Sequence, residues 1–225
     1  KYKEVIEKSN KLLNQNYNLP IIYNLLGTAN FLLKDFQIAI KYYLKGINLE
    51  PNNEEIIRNL GKCFLSLKNY KEARKYFNKS LNIQKENPDS LFNLGLIEIL
   101  TEEPLQGIDF LKQALNIKSD FTECIYNLGL CYKKLGDYQT AKYYYLKAIN
   151  TNPNHLKSYN NLGVCYLIQG DYQNAILALN SCLQKNPNYS FALNNLGSVF
   201  IAQKKFDEAL SCFTKAHSLN KNLLN

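Results

Sequence analysis

A Leu-Gly pair returns every 34 residues along the chain, at Leu26-Gly27, Leu60-Gly61, Leu94-Gly95, Leu128-Gly129, Leu162-Gly163 and Leu196-Gly197. A fixed period of this length means that one supersecondary unit is built repeatedly and stacked on its own copies, which excludes a single irregular core. In five of the copies an Asn stands directly before the Leu, as Asn59, Asn93, Asn127, Asn161 and Asn195. A polar amide therefore repeats in register with the apolar seam.

The internal pattern of a copy is helical. Ile125, Leu128, Gly129 and Tyr132 fall at i, i+3, i+4 and i+7, one face of a first helix. Gly136 is placed to end that helix in the left-handed conformation and Asp137 to cap the next, and Gly170-Asp171 repeats the arrangement. Tyr138, Ala141, Tyr145 and Ala148 form the answering stripe of a second helix, and Pro153 punctuates the exit to the following copy.

These residues resemble the tetratricopeptide repeat, a 34-residue helix-turn-helix unit with fixed Leu-Gly, Ala, aromatic and Pro positions. Ala39, Ala73, Ala141, Ala175 and Ala209 occupy the Ala position, Tyr43, Phe77, Tyr145 and Phe213 the aromatic one, and Pro51, Pro153 and Pro187 the Pro one. The usual Trp is replaced by Tyr23, Ile57, Leu91, Ile125, Tyr159 and Leu193, and the third copy carries Gly107, Leu111 and Ser119 at the Ala, aromatic and Pro positions. The resemblance implies an all-α, right-handed superhelical solenoid of antiparallel helix pairs. Copies are expected at about 20–53, 54–87, 88–121, 122–155, 156–189 and 190–223. Residues 1–19 read as the second helix of an earlier copy, since Tyr2-Lys3-Glu4-Val5 parallels Tyr70-Lys71-Glu72-Ala73, and the array is expected to extend past both ends.

Composition narrows the function classes. Hydrophobic residues at 46% supply a continuous core, and charged residues at 20% are too few for a disordered polyelectrolyte. No apolar run approaches the length of a membrane span. The net charge of +8 is scattered and lacks the aromatic interleaving of a nucleic-acid groove, which speaks against a nucleic-acid partner. Cys63, Cys124, Cys131, Cys165, Cys182 and Cys212 form no CxxC pair and sit in helical patterns, so neither a metal centre nor a disulfide framework is expected. Six unpaired thiols point to a reducing compartment, the cytoplasm or nucleus. With only His155 and His217 and no nucleophile–base set, no catalytic residue or cofactor is expected, and the chain reads as a non-enzyme.

Relative to the seam residue Ile125, Asn127 lies about 200° and Leu130 about 140° around the helix, away from the copy's own core. In the resembled family first helices line a concave groove. The Asn row is therefore expected to contact the main chain of a bound protein segment, with Arg58, Lys62, Phe92, Leu96, Tyr126, Leu130, Lys133 and Val164 setting selectivity. The function expected is a protein-interaction scaffold that holds an extended peptide or a partner helix. The Asn row is also similar to the ladder in the superhelical arm of O-linked N-acetylglucosamine transferases, which keeps open a role as the substrate-recruiting arm of a larger transferase. A place in a large assembly of such arrays is the third reading. Chaperone-tail binders of the family use a Lys followed four residues later by Asn, whereas here Arg58 is followed by Lys62, which argues against that partner.

Overall fold

The computed structural model describes residues 1–221, and the regular structure among them is entirely α-helical. The chain divides into two compact units, 1–118 and 119–225. The first contains α1 (Tyr2–Asn14), α2 (Pro20–Leu32), α3 (Phe36–Leu49), α4 (Glu54–Ser66), α5 (Tyr70–Ile83), α6 (Pro88–Leu100) and α7 (Pro104–Ile117). The second contains α8 (Thr122–Lys134), α9 (Tyr138–Thr151), α10 (Leu156–Ile168), α11 (Tyr172–Lys185), α12 (Ser190–Ala202) and α13 (Phe206–Lys221). Within each unit every first helix packs on the second helix of its own copy and, more lightly, on the second helix before it. The first helices also meet one another, α2 with α4, α4 with α6, and α10 with α12. This is the all-α, paired-helix architecture that the 34-residue period implies.

The Leu-Gly pair explains the tight pairing. Leu26, Leu60 and Leu128 are fully buried, and each glycine lies under the aromatic or Leu of the partner helix. A Cβ built on Gly27 would stand 2.5 Å from the Tyr43 ring, and one on Gly61 2.9 Å from the Phe77 ring. The third copy keeps the same logic with smaller parts. Its Gly107 brings α7 so close to α6 that a Cβ there would meet the Gly95 carbonyl oxygen at 3.2 Å, and Leu111 fills the space beneath Gly95. Between copies, Ala39, Ile40 and Tyr43 of α3 pack on Ile56, Leu60 and Cys63 of α4, and Ala175, Leu179 and Cys182 of α11 on Ala192, Leu196 and Val199 of α12.

The turns joining the two helices of a copy all close the same way. Gly136 has φ +79° and donates to the Lys133 carbonyl, while the Asp137 N–H donates to the Tyr132 carbonyl at 3.0 Å. This pair of bonds satisfies the last carbonyls of α8. Asp137 then accepts from the Thr140 N–H, and Asp171 from the Asn174 N–H, as the caps expected from sequence. The left-handed position is also held by Lys34 (φ 66°), Lys68 (φ 58°), Glu102 (φ 65°) and Lys204 (φ 60°), where a Cβ crowds the carbonyl. Lys68→Gly should therefore raise stability by about 1 kcal/mol and Gly136→Lys lower it by about the same amount. Thermal unfolding of the two variants reads both signs, and a loss in Lys68→Gly would refute the argument.

Candidate functional site

The Asn row runs along the first helices, and every member already makes a hydrogen bond within the chain. Three amides reach back to the preceding copy: Asn59 Nδ2 donates to Asn24 Oδ1 at 3.1 Å, Asn161 Nδ2 to the Tyr126 hydroxyl at 3.1 Å, and Asn195 Nδ2 to Asn160 Oδ1 at 2.8 Å. Asn93, Asn127 and Asn161 also donate to the carbonyl one turn earlier, those of Asp89 (2.7 Å), Glu123 (2.7 Å) and Lys157 (3.0 Å). These side chains, expected to lie away from their own copy's core, bond within the array, and Asn93 is 8% and Asn127 6% exposed. The cause is geometric. For Asn59, Asn161 and Asn195 the residue 35 positions back, in the copy upstream, lies opposite, and as Asn24, Tyr126 or Asn160 it offers an acceptor.

The backbone carbonyl can only accept, so the amide nitrogen must be the atom facing it, and the flip of Asn93 and Asn127 is fixed by chemistry. Their Oδ1 atoms have no partner among the described residues and are not among the side-chain atoms sealed from solvent without one. Each of these amides thus presents an acceptor and a second N–H from an anchored position. Asn161 is different: its oxygen accepts from Lys133 Nζ at 2.6 Å while its nitrogen serves both Tyr126 and Lys157.

The flanking residues divide between framework and face. Arg58 is half-buried and spent on ion pairs, with Nε on Glu54 at 3.0 Å and a terminal nitrogen on Asp89 at 3.5 Å. The same Glu54 oxygen accepts from Ser80 and Asn87, and because the Ser80 proton is used there, Ser90 is the donor in their 2.6 Å contact. Tyr126 is a wall residue, 8% exposed, its ring packed on Tyr145 and edge-on to His155, with only the hydroxyl reaching Asn161. Lys62, Phe92, Leu96, Leu130, Lys133 and Val164 are half-buried along the first helices. Burial holds both Lys62 and Lys133 below the ordinary lysine range, with the Arg58 guanidinium adding to the effect at Lys62. Sequence reading missed Asn24, Asn160 and the Lys157 carbonyl as hydrogen-bond partners of the row, and also the exposed apolar Ile168 and Phe191 on the same helices. The signal was available as the 35-residue offset and the positions one turn before and two turns after each Asn.

Tyr145 carries a buried hydroxyl with no partner among the described residues. In the first copy the equivalent Tyr43 hydroxyl meets Thr28 Oγ1 at 3.0 Å, but the Thr28 position in the fourth copy is Leu130. Tyr145→Phe is thus expected to stabilise the chain by about 1 kcal/mol and Tyr43→Phe to destabilise it, since a buried orphan hydroxyl costs about that much. Denaturant midpoints compare the pair, and equal signs would sink the explanation.

Among the described residues no group of three or more His, Cys, Asp or Glu side chains is arranged to hold a metal ion, and no helix is long and apolar enough to cross a membrane. Burial pushes the thiols of Cys63, Cys124 and Cys131 up to about 12 and those of Cys165 and Cys182 up to about 11, so they remain protonated packing groups.

Repeated helix pairs with a polar ladder on the first helices define a helical-repeat scaffold. Family models described as tetratricopeptide repeat match residues 20–86, 121–186 and 190–223, more than half of the chain. The chain belongs to the tetratricopeptide repeat family. Solved structures resemble it as well. MamA is 25% identical with a TM-score of 0.64, the match covering 75% of this chain and 92% of that one. YrrB, described as a tetratricopeptide repeat protein with an unusual peptide-binding site, is 23% identical with a TM-score of 0.63 over 84% of this chain and 97% of its own. PilF of Pseudomonas aeruginosa is 18% identical with a TM-score of 0.77, over 86% and 88% of the two chains. No curated protein sequence matches significantly.

Proposed function

We propose that the chain is a protein-interaction scaffold whose first-helix face holds an extended segment of a partner protein, with the Asn row bonding the partner's main chain. The observation that carries this reading is the anchoring of Asn93 and Asn127. Each is fixed by one N–H to its own helix and keeps an acceptor and a donor for another polypeptide. Fixed donors and acceptors lower the ordering entropy of a complex, which favours binding over the same amides left mobile. YrrB, a protein of like fold, has a peptide-binding site, and its example makes the same use of this scaffold reasonable. The six free cysteines, five of them buried, suit a reducing compartment, and we place the chain in the cytoplasm or nucleus on that basis.

The test is direct. Peptides of random sequence selected on the immobilised chain are measured by fluorescence anisotropy against the native protein and against two separate variants, Asn93→Ala in the first unit and Asn127→Ala in the second. Loss of two hydrogen bonds at about 0.5–1.5 kcal/mol each should weaken binding of peptides held by that unit by about tenfold. Unchanged affinity in a variant that melts like the native chain would remove the ladder from the interface.

A further inference from the structure

The first helices of the second unit carry an uneven charge. Lys133 and Lys134 of α8 and Lys157 of α10 stand against one carboxylate, Glu123, and α12 has no charged residue. That carboxylate is engaged, its Oε1 lying 3.3 Å from His155 Nε2. The nearby Asp137 and Asp171 are tied up as helix caps. Lys133 and Lys157 have no ion-pair partner among the described residues. Both flank Asn161: its oxygen takes the Lys133 ammonium, and Lys157 stands one turn before it on α10, where the Lys157 main-chain carbonyl accepts from the same amide. Next to this cationic patch the same face turns apolar and exposed, with Ile168 52% exposed two turns beyond Asn161 on α10, and Phe191 65% exposed on α12 at the position that Lys157 holds on α10.

We infer that the second unit selects partner segments that are acidic and apolar in alternation, a carboxylate meeting Lys133 and Lys157 and an apolar side chain meeting Ile168 and Phe191. This rests on the scaffold reading above and adds the chemistry of the ligand. A half-desolvated ammonium held by a neutral amide gains more from an incoming anion than a fully solvated one, since the dehydration is already made in the free protein. Helices of neighbouring copies stand about 10 Å apart and an extended chain advances about 3.3 Å per residue, so the acidic and apolar positions should lie about three residues apart.

Selection of random peptides of about twelve residues, long enough for about 40 Å of extended chain, is run on the immobilised native protein and on Lys133→Gln/Lys157→Gln, with a single-stranded oligothymidine as a second probe. The expected result is enrichment of Asp or Glu about three residues from Leu, Ile or Phe, together with affinity that falls with added salt. Binding should weaken by about tenfold in the double variant, the loss of one charge-assisted hydrogen bond. Lys157→Gln alone, at an exposed position, should move affinity the same way if the double variant is poorly folded. Enriched peptides without acidic residues, or unchanged selection by the variants, overturn this inference while leaving the scaffold reading intact, whereas binding of the oligonucleotide in place of peptides overturns both. No enrichment by folded native chain overturns the scaffold reading itself.

Discussion

Gly129→Ala should destabilise the second unit by about 3 kcal/mol, at the top of the usual range for overpacking a core. In an ordinary helix interior the same substitution stabilises by about 1 kcal/mol, so the sign alone is diagnostic. The new methyl would lie 2.5 Å from Cε1 and 2.7 Å from Cδ1 of the Tyr145 ring. That ring is fully buried and has Tyr126 against it at 5.8 Å, so it has nowhere to retreat. Gly61→Ala, where the Phe77 ring is 2.9 Å away, should lose less. Hydrogen exchange in α8 and α9 gives the local stability of the affected pair, which is the proper quantity in an array whose copies need not unfold together. If the ring is the cause, the penalty shrinks to under about 1 kcal/mol when Tyr145 is already Ala. A Gly129→Ala chain as protected as the native one would refute the account.

Arg74→Leu is expected to be comparably damaging, by about 3 kcal/mol, because it strands a buried carboxylate. The Glu98 side chain is 2% exposed, and both of its oxygens are bound by Arg74, at 3.1 Å and 3.3 Å, across the α5–α6 junction between copies. Arg74 itself is 42% exposed, which keeps the figure at the low end for breaking a buried pair. Arg74→Leu/Glu98→Leu should recover most of the loss, since the penalty lies in the unpaired charge rather than in the absent attraction. By contrast Lys8–Glu4, with side chains 75% and 61% exposed, should change stability by under about 1 kcal/mol when broken. Denaturant midpoints of the single and double variants separate these cases. A double variant no better than Arg74→Leu would show that packing, not charge, is at stake.

Periodicity made the fold legible, whereas side-chain partnerships stayed hidden. Leu-Gly, Ala and aromatic positions at 34-residue spacing locate both helices of a copy, because each is set by a contact that every copy repeats. Gly136-Asp137 announced its turn, since glycine favours the left-handed conformation found there. Lys68 and Glu102 carry no such signal, because residues unsuited to that conformation are held in it by the helices on either side. At the candidate site, helical phase placed the Asn row on the first helices but could not tell that Asn59 would meet Asn24 while Asn93 folds onto Asp89. That choice depends on whether the opposite side chain can accept: Asn24 offers an amide oxygen, whereas the Arg58 guanidinium carries only donors, which Glu54 and Asp89 take up. Tyr126, expected on the open face, lines the wall instead, its ring being covered by Tyr145 and by His155, which enters from the loop before α10.

Within each unit, and among the described residues, the helix contacts join a copy to the copies on either side of it. A gene duplication that adds one whole copy therefore disturbs no pre-existing interface: the newcomer offers on one side the surface that it covers on the other. Lineages can lengthen or shorten such a chain in steps of 34 codons, tuning the length of the array by recombination rather than by redesign of a core.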